Sequence, residues 1–137
     1  MKIHHILVPT DFSADAEYVL QQALVLAARD TAHVLLLHVL RRCEVMWLEG
    51  VWPTRAQIMQ ELQTEAEQRL QAAAAAQPLL IETLAVWGNP APEICRIAKD
   101  YGTDLIVMSI GVWWHSCRTL SAQCRCRAVP QEVTRHG

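Results

Sequence analysis

At 137 residues, with 52% hydrophobic and 19% charged side chains, the chain has apolar mass for one folded domain and too little charge for wholesale disorder. A formal net charge of -2 gives no case for nucleic acid as a partner, and no run of about 18 apolar residues offers a membrane span. The N-terminus enters a strand directly, without a signal-peptide layout, and five cysteines form no small disulfide framework at this length, so a cytoplasmic protein is expected.

The average charge hides an asymmetry. Residues 1–109 carry 8 Lys and Arg against 13 Asp and Glu, a net of -5, whereas residues 110–137 carry 4 Arg against Glu132, a net of +3. Two segments follow: an α/β domain over 1–109 and an atypical tail over 110–137.

The first predicted element is a strand through Ile3, Ile6, Leu7 and Val8, stopped by Pro9-Thr10-Asp11. Ser13 is placed to cap a helix over Ala14–Arg29, whose Ala16, Val19, Leu20, Ala23, Leu24 and Ala27 recur at three and four and form one apolar face. His33–Val39 is a second strand. Its unbroken Val34-Leu35-Leu36-Leu37 predicts burial on both faces, as in a central parallel strand. Residues 40–52 are a connection in which Trp47 and Trp52 shield the core edge or cover a pocket. A helix is predicted over Thr54–Ala76, with Thr54 and Gln57 as a capping box and the stripe Ile58, Leu62, Ala66, Leu70 and Ala73. Glu61, Glu65, Glu67 and Arg69 read as its solvated face, and the run Ala72–Ala76 as helix propensity.

A third strand, Leu80–Trp87, alternates more than the second and suits a sheet edge. Gly88-Asn89-Pro90 supplies a turn, a cap and a proline at the first position of a helix that buries Ile94, Ile97, Ala98 and Tyr101 and ends at Gly102. Asp104–Ser109 is the fourth strand. The order β-α-β-α-β-α-β predicts an open parallel sheet with helices on both faces. Ligands of such sheets bind beyond the carboxyl ends of the strands, which draws attention to Thr10 and Asp11.

Together and in this order, Ile6-Leu7-Val8-Pro9-Thr10-Asp11-Phe12-Ser13, Leu36-Leu37-His38-Val39, Gly88-Asn89-Pro90 with Ile94 and Ala98, and Asp104-Leu105-Ile106-Val107-Met108 resemble the universal stress protein family over residues 1–109. The resemblance implies the sheet order 3-2-1-4-5 of adenine nucleotide alpha hydrolase-like folds, dimers formed through the fifth strand, and cytoplasmic stress-response proteins with no shared catalytic activity. One subclass binds ATP, with Mg²⁺, between strands one and four. Carried over to this sequence, Pro9, Thr10 and Asp11 would flank the nucleoside, backbone at Val39 would meet adenine, and Met108, Ser109 and Gly111 would open the phosphate loop.

That loop departs from the family pattern G-x2-G-x9-G-(S/T). Ser109 stands where the first glycine is expected, and Val112-Trp113-Trp114 replaces small residues that let backbone N–H groups approach phosphate. ATP binding is therefore expected to be weak or lost. Apolar periodicity stops after Ser109, which makes the fifth strand, and with it a homodimer, doubtful. A shift of reading frame accounts for both. Trp has the single codon TGG, so Trp113-Trp114 read one base later begins Gly-Gly, and the same shift across Gln123-Cys124 permits Ser followed by Val or Ala; an unambiguous gene sequence with no better second frame removes the idea.

Other sites are simpler. His115, Cys117, Cys124 and Cys126 match structural zinc spacing poorly. His4 and His5 read as structural histidines; His33 and His38 bracket the second strand, and His38 lies near the expected pocket with no acid–base partner in sequence. With no nucleophile motif, Walker loop or carboxylate pair, the chain is expected not to be an enzyme.

Overall fold

The computed structural model describes residues 2–41, 55–109 and 125–129, the last as backbone alone. Along these, the chain runs β1 (His5–Pro9), α1 (Ala14–Asp30), β2 (His33–Leu40), α2 (Arg55–Ala75), β3 (Ile81–Trp87), α3 (Pro90–Asp100), β4 (Leu105–Ser109) and β5 (Arg125–Val129). The strands form one parallel sheet in the order β3-β2-β1-β4-β5.

Burial on both faces explains the continuous apolar runs of β1, β2 and β4. On one face Ile6, Val8, Val34, Leu36 and Val107 pack against Val19, Leu20 and Ala23 of α1 and Leu70 of α2. On the other, Leu7, Leu35, Leu37, Ile106 and Met108 pack against Ile94, Ile97 and Ala98 of α3. β3 lies at the sheet edge, as its alternation predicts.

Local chemistry sets the helix ends. Ser13 Oγ accepts from the Ala16 N–H at 3.2 Å, and all six apolar positions predicted for α1 are buried. The helix stops at Thr31, whose φ of 57° is left-handed, and its N–H bonds Ala27 O. α2 buries only Ala66 and Leu70, so most of its predicted stripe stays partly exposed. α3 begins at Pro90, and Gly102, at φ 62°, turns the chain out of it.

Four expectations are corrected. The fifth strand exists: β5 pairs with β4 from Leu105↔Arg125 to Ser109↔Val129. Its ladder is made by backbone groups, which need no apolar pattern in Arg-Cys-Arg-Ala-Val. Tyr101 is 46% exposed because it lies past the last turn of α3. Asn89 occupies the N-cap of α3 without a side-chain capping bond. β4 starts one residue late, since Asp104 is occupied as an acceptor: its Oδ2 takes the His4 and His5 N–H groups at 2.8 and 3.0 Å.

That carboxylate ties β1 to the entry of β4, and Asp30 does the same for the N-terminus by accepting the Ile3 N–H at 2.8 Å. The backbone N–H of His4 holds the Asp104 carboxyl below its ordinary value, and the Arg29 guanidinium, followed by the Ile3 N–H, does so for Asp30. A depressed carboxyl contributes stability that is present above its unfolded value and lost as pH falls through the folded one. The urea midpoint is thus expected to be level from neutral pH to about pH 5 and to fall below about pH 4. Asp104→Asn should flatten part of that fall; an unchanged acid limb in the variant would remove Asp104 as its cause.

Candidate functional site

The chain steps from β1 to β2 to β3 in one direction and then crosses back to β4 on the other side of β1. The direction of winding therefore reverses between β1 and β4. Their ladder registers Ile6 with Leu105 and Leu7 with Ile106 and goes no further among the described residues, whereas β1 and β2 remain paired to Pro9↔Leu37. Beyond Leu7 and Ile106 no further pair joins the two strands among the described residues. A crevice at such a reversal is where open α/β sheets take ligands.

The residues around it come from three strand ends. Pro9 closes β1, Val39 lies in β2 opposite Val86, and Met108 and Ser109 end β4. Val39 and Met108 bury their side chains in the core on the α3 face, so backbone is what they have to offer a ligand. Ser109 is half-buried. Gly111 and Val112–Trp114 lie outside the described residues, as do Cys43, Trp47, Trp52, Thr54, His115, Cys117 and Cys124; Cys126 is seen only as β5 backbone. Among the described residues no group of His, Cys, Asp and Glu could hold a metal ion.

The turn after β1 is rigidly specified. Thr10 is a buried polar residue at 7% exposure. Its N–H donates to Leu37 O at 2.8 Å, and its Oγ1 accepts from the Phe12 N–H at 3.0 Å. Asp11 is exposed, and its Oδ1 accepts from the Ser13 N–H at 3.0 Å. The helix-starting role of Asp11 is thus present, and its second oxygen, Oδ2, has no hydrogen bond among the described residues. Phe12 stands at φ 65°, a left-handed conformation costing a bulky residue about 1–3 kcal/mol.

Three side chains here carry little sequence signal. His38 follows Leu36 on the α1–α2 face, and its Nδ1 is 2.8 Å from Thr10 O, a hydrogen bond in which the ring N–H donates. The Phe12 ring packs on the His38 ring with centroids 4.5 Å apart. The Arg69 guanidinium, from the solvated face of α2, lies over Phe12 at 4.2 Å. The period-two alternation of β2 could have placed His38 over the pocket; Arg69 meets Phe12 only through tertiary packing.

A doubly wound α/β protein whose winding reverses between β1 and β4 is what these elements define. Residues 2–111 match the Universal stress protein family, and the chain belongs to that family. No curated protein sequence matches it. Among solved structures, the hypothetical protein MJ0577 superposes with a TM-score of 0.83 at 23% identity, over 96% of this chain and 99% of its own. A universal stress protein from Archaeoglobus fulgidus in complex with dAMP gives 0.68 at 21% identity, over 96% and 100% of the two chains. A universal stress protein in complex with cAMP gives 0.65 at 18%, over 95% and 98%. At these identities the likeness is one of fold. No helix among the described residues is long and apolar enough to cross a membrane.

Proposed function

We propose that this chain is a stress-response domain whose crevice accepts the adenosine part of an adenine nucleotide and holds a triphosphate weakly or not at all. The reversal of winding between β1 and β4, whose ladder ends at Leu7 and Ile106 among the described residues, carries the first half of this reading. In this reading Asp11, an exposed carboxylate that accepts from the Ser13 N–H through Oδ1, offers its Oδ2 to a ribose hydroxyl. The complexes of two relatives of the same fold with dAMP and cAMP support an adenine mononucleotide as the ligand class. The second half rests on sequence: Ser109 followed by Gly111-Val112-Trp113-Trp114 supplies bulk where phosphate needs close backbone approach. In this reading the domain binds without catalysing, and Mg²⁺ enters only with a nucleotide.

Calorimetric titration tests both halves. Saturable heat is expected with dAMP, and ATP with Mg²⁺ is expected to bind no more tightly, because the added phosphates find no cradle. Micromolar ATP affinity would overturn the damaged grip, and absence of binding by every adenine nucleotide would overturn the crevice.

A second reading has its own support. β5 ends the sheet, so one side of its ladder bears no strand among the described residues, and such an edge can pair with another copy. A ligand-independent dimerisation module would behave this way. Light scattering separates the readings: a dimer whose mass is unaffected by nucleotide favours the second, and a monomer excludes it.

A further inference from the structure

A hollow lies between α1 and α2, on the face of the sheet opposite α3, with a volume of about 400 Å³, within the range of small-molecule sites. Ala16, Leu20 and Leu36 floor it, and Ala72 and Ala73 of α2 with Ala76 just past its end wall it. The alanine run explains why it is open: side chains of one carbon leave the helices unable to interdigitate there. Polar groups sit at its two ends and differ in what they offer. At the far end Gln77 is consumed, because its Nε2 donates to Ala73 O at 3.3 Å and its Oε1 accepts from Gln21 Nε2 at 3.0 Å, bridging the two helices.

At the near end donors are available. The oxygens of Thr10 and Ser13 accept from the Phe12 and Ala16 N–H groups, which leaves each hydroxyl proton available. Arg69 lies flat on Phe12, and no carboxylate among the described residues pairs with it. Phe12 is held in its left-handed conformation with its ring between His38 and Arg69. A ligand complementary to this end brings acceptor oxygens and negative charge. Glu17 on the same wall opposes a second negative charge and so disfavours polyanions. Between the ends, α2 from Arg69 to its last residue Ala75 spans about 9 Å of helix axis, and the hollow is walled there by the apolar carbon of Ala72 and Ala73.

We propose that the α1–α2 hollow is a binding site for a medium-chain aliphatic monocarboxylate, its carboxylate on Arg69 and the Thr10 and Ser13 hydroxyls and its tail along Ala72, Ala73 and Ala76. This site lies between α1 and α2 and shares Thr10 of the turn after β1 with the crevice between β1 and β4, but its occupant is not a nucleotide.

Octanoate, titrated into the full chain and followed by amide chemical shifts, is the test. Saturable shifts confined to α1, α2 and the turn after β1 are expected. Arg69→Gln, an exposed substitution, should weaken binding about tenfold or more, and Glu17→Gln should tighten it. Ala73→Leu, which fills the hollow, should abolish octanoate binding while leaving the dAMP titration unchanged, so this site and the crevice fail or succeed separately. Octanol should bind more weakly than octanoate. Absence of saturable shifts in the unsubstituted chain would overturn the proposal, as would an Arg69→Gln variant, folded by circular dichroism, that binds octanoate as well as the parent.

Discussion

Ile106→Ala is expected to destabilise the domain by about 2–5 kcal/mol, read as a lower urea midpoint at unchanged slope. Ile106 is 0% exposed, sits in β4 opposite Leu7 of β1, and packs in the core with Leu37 and Ile94. It is one of two residues that register β4 on β1, so the strands on either side of the winding reversal meet over its side chain. Truncation leaves a cavity that β1, β2 and α3 cannot close without disturbing the strand ladders, which adds a cavity cost to that of transferring the lost methylenes. Leu80→Ala is the control. At 93% exposure, Leu80 removes nothing from the core when shortened, and the midpoint should stay within about 0.5 kcal/mol of the parent. Equal effects of the two substitutions would mean that the apolar run of β4 is not central.

Gly88→Ala should be the most damaging change of a single methyl, at about 1–3 kcal/mol. Gly88 has φ 153°, a conformation that L side chains rarely adopt, and an added Cβ would stand 2.6 Å from Glu93 Cγ. Glu93 cannot swing aside freely: Arg96 Nη2 bonds its Oε1 at 2.7 Å, and the same guanidinium reaches Asp100 at 3.2 Å. The Gly88 N–H also donates to Leu40 O, the last bond joining β3 to β2. Backbone shift to relieve the clash would strain that bond and tilt the start of α3, whose Ala91 and Ile94 are buried. Combining Gly88→Ala with Glu93→Ala should recover part of the loss, since contact is removed while φ remains unfavourable. No recovery would assign the whole cost to the backbone.

The helix and strand pattern through Ser109 was legible because burial there follows simple periods. The six buried positions of α1 and the two-faced burial of β1, β2 and β4 are written in residue spacing. Asp11 and Ser13 were legible as helix-start groups for the same local reason: each bonds a backbone N–H two or three residues away. β5 was not legible. A ladder on β4 is formed by main-chain groups, and Arg125–Val129 carries no apolar alternation to announce it.

By itself the sequence determined the order of helices and strands through Ser109 and which of their residues are buried, because these depend on contacts within a few residues or on period alone; the sheet order came from the family resemblance. Tertiary structure alone decided that His38 locks the Thr10 carbonyl, that Arg69 leaves the solvated side of α2 to lie on Phe12, and that a run of alanines becomes a hollow. The first two features join residues 28 and 57 positions apart, His38 with Thr10 and Arg69 with Phe12. Such pairs are fixed by how helices settle on the sheet, and no local pattern encodes them.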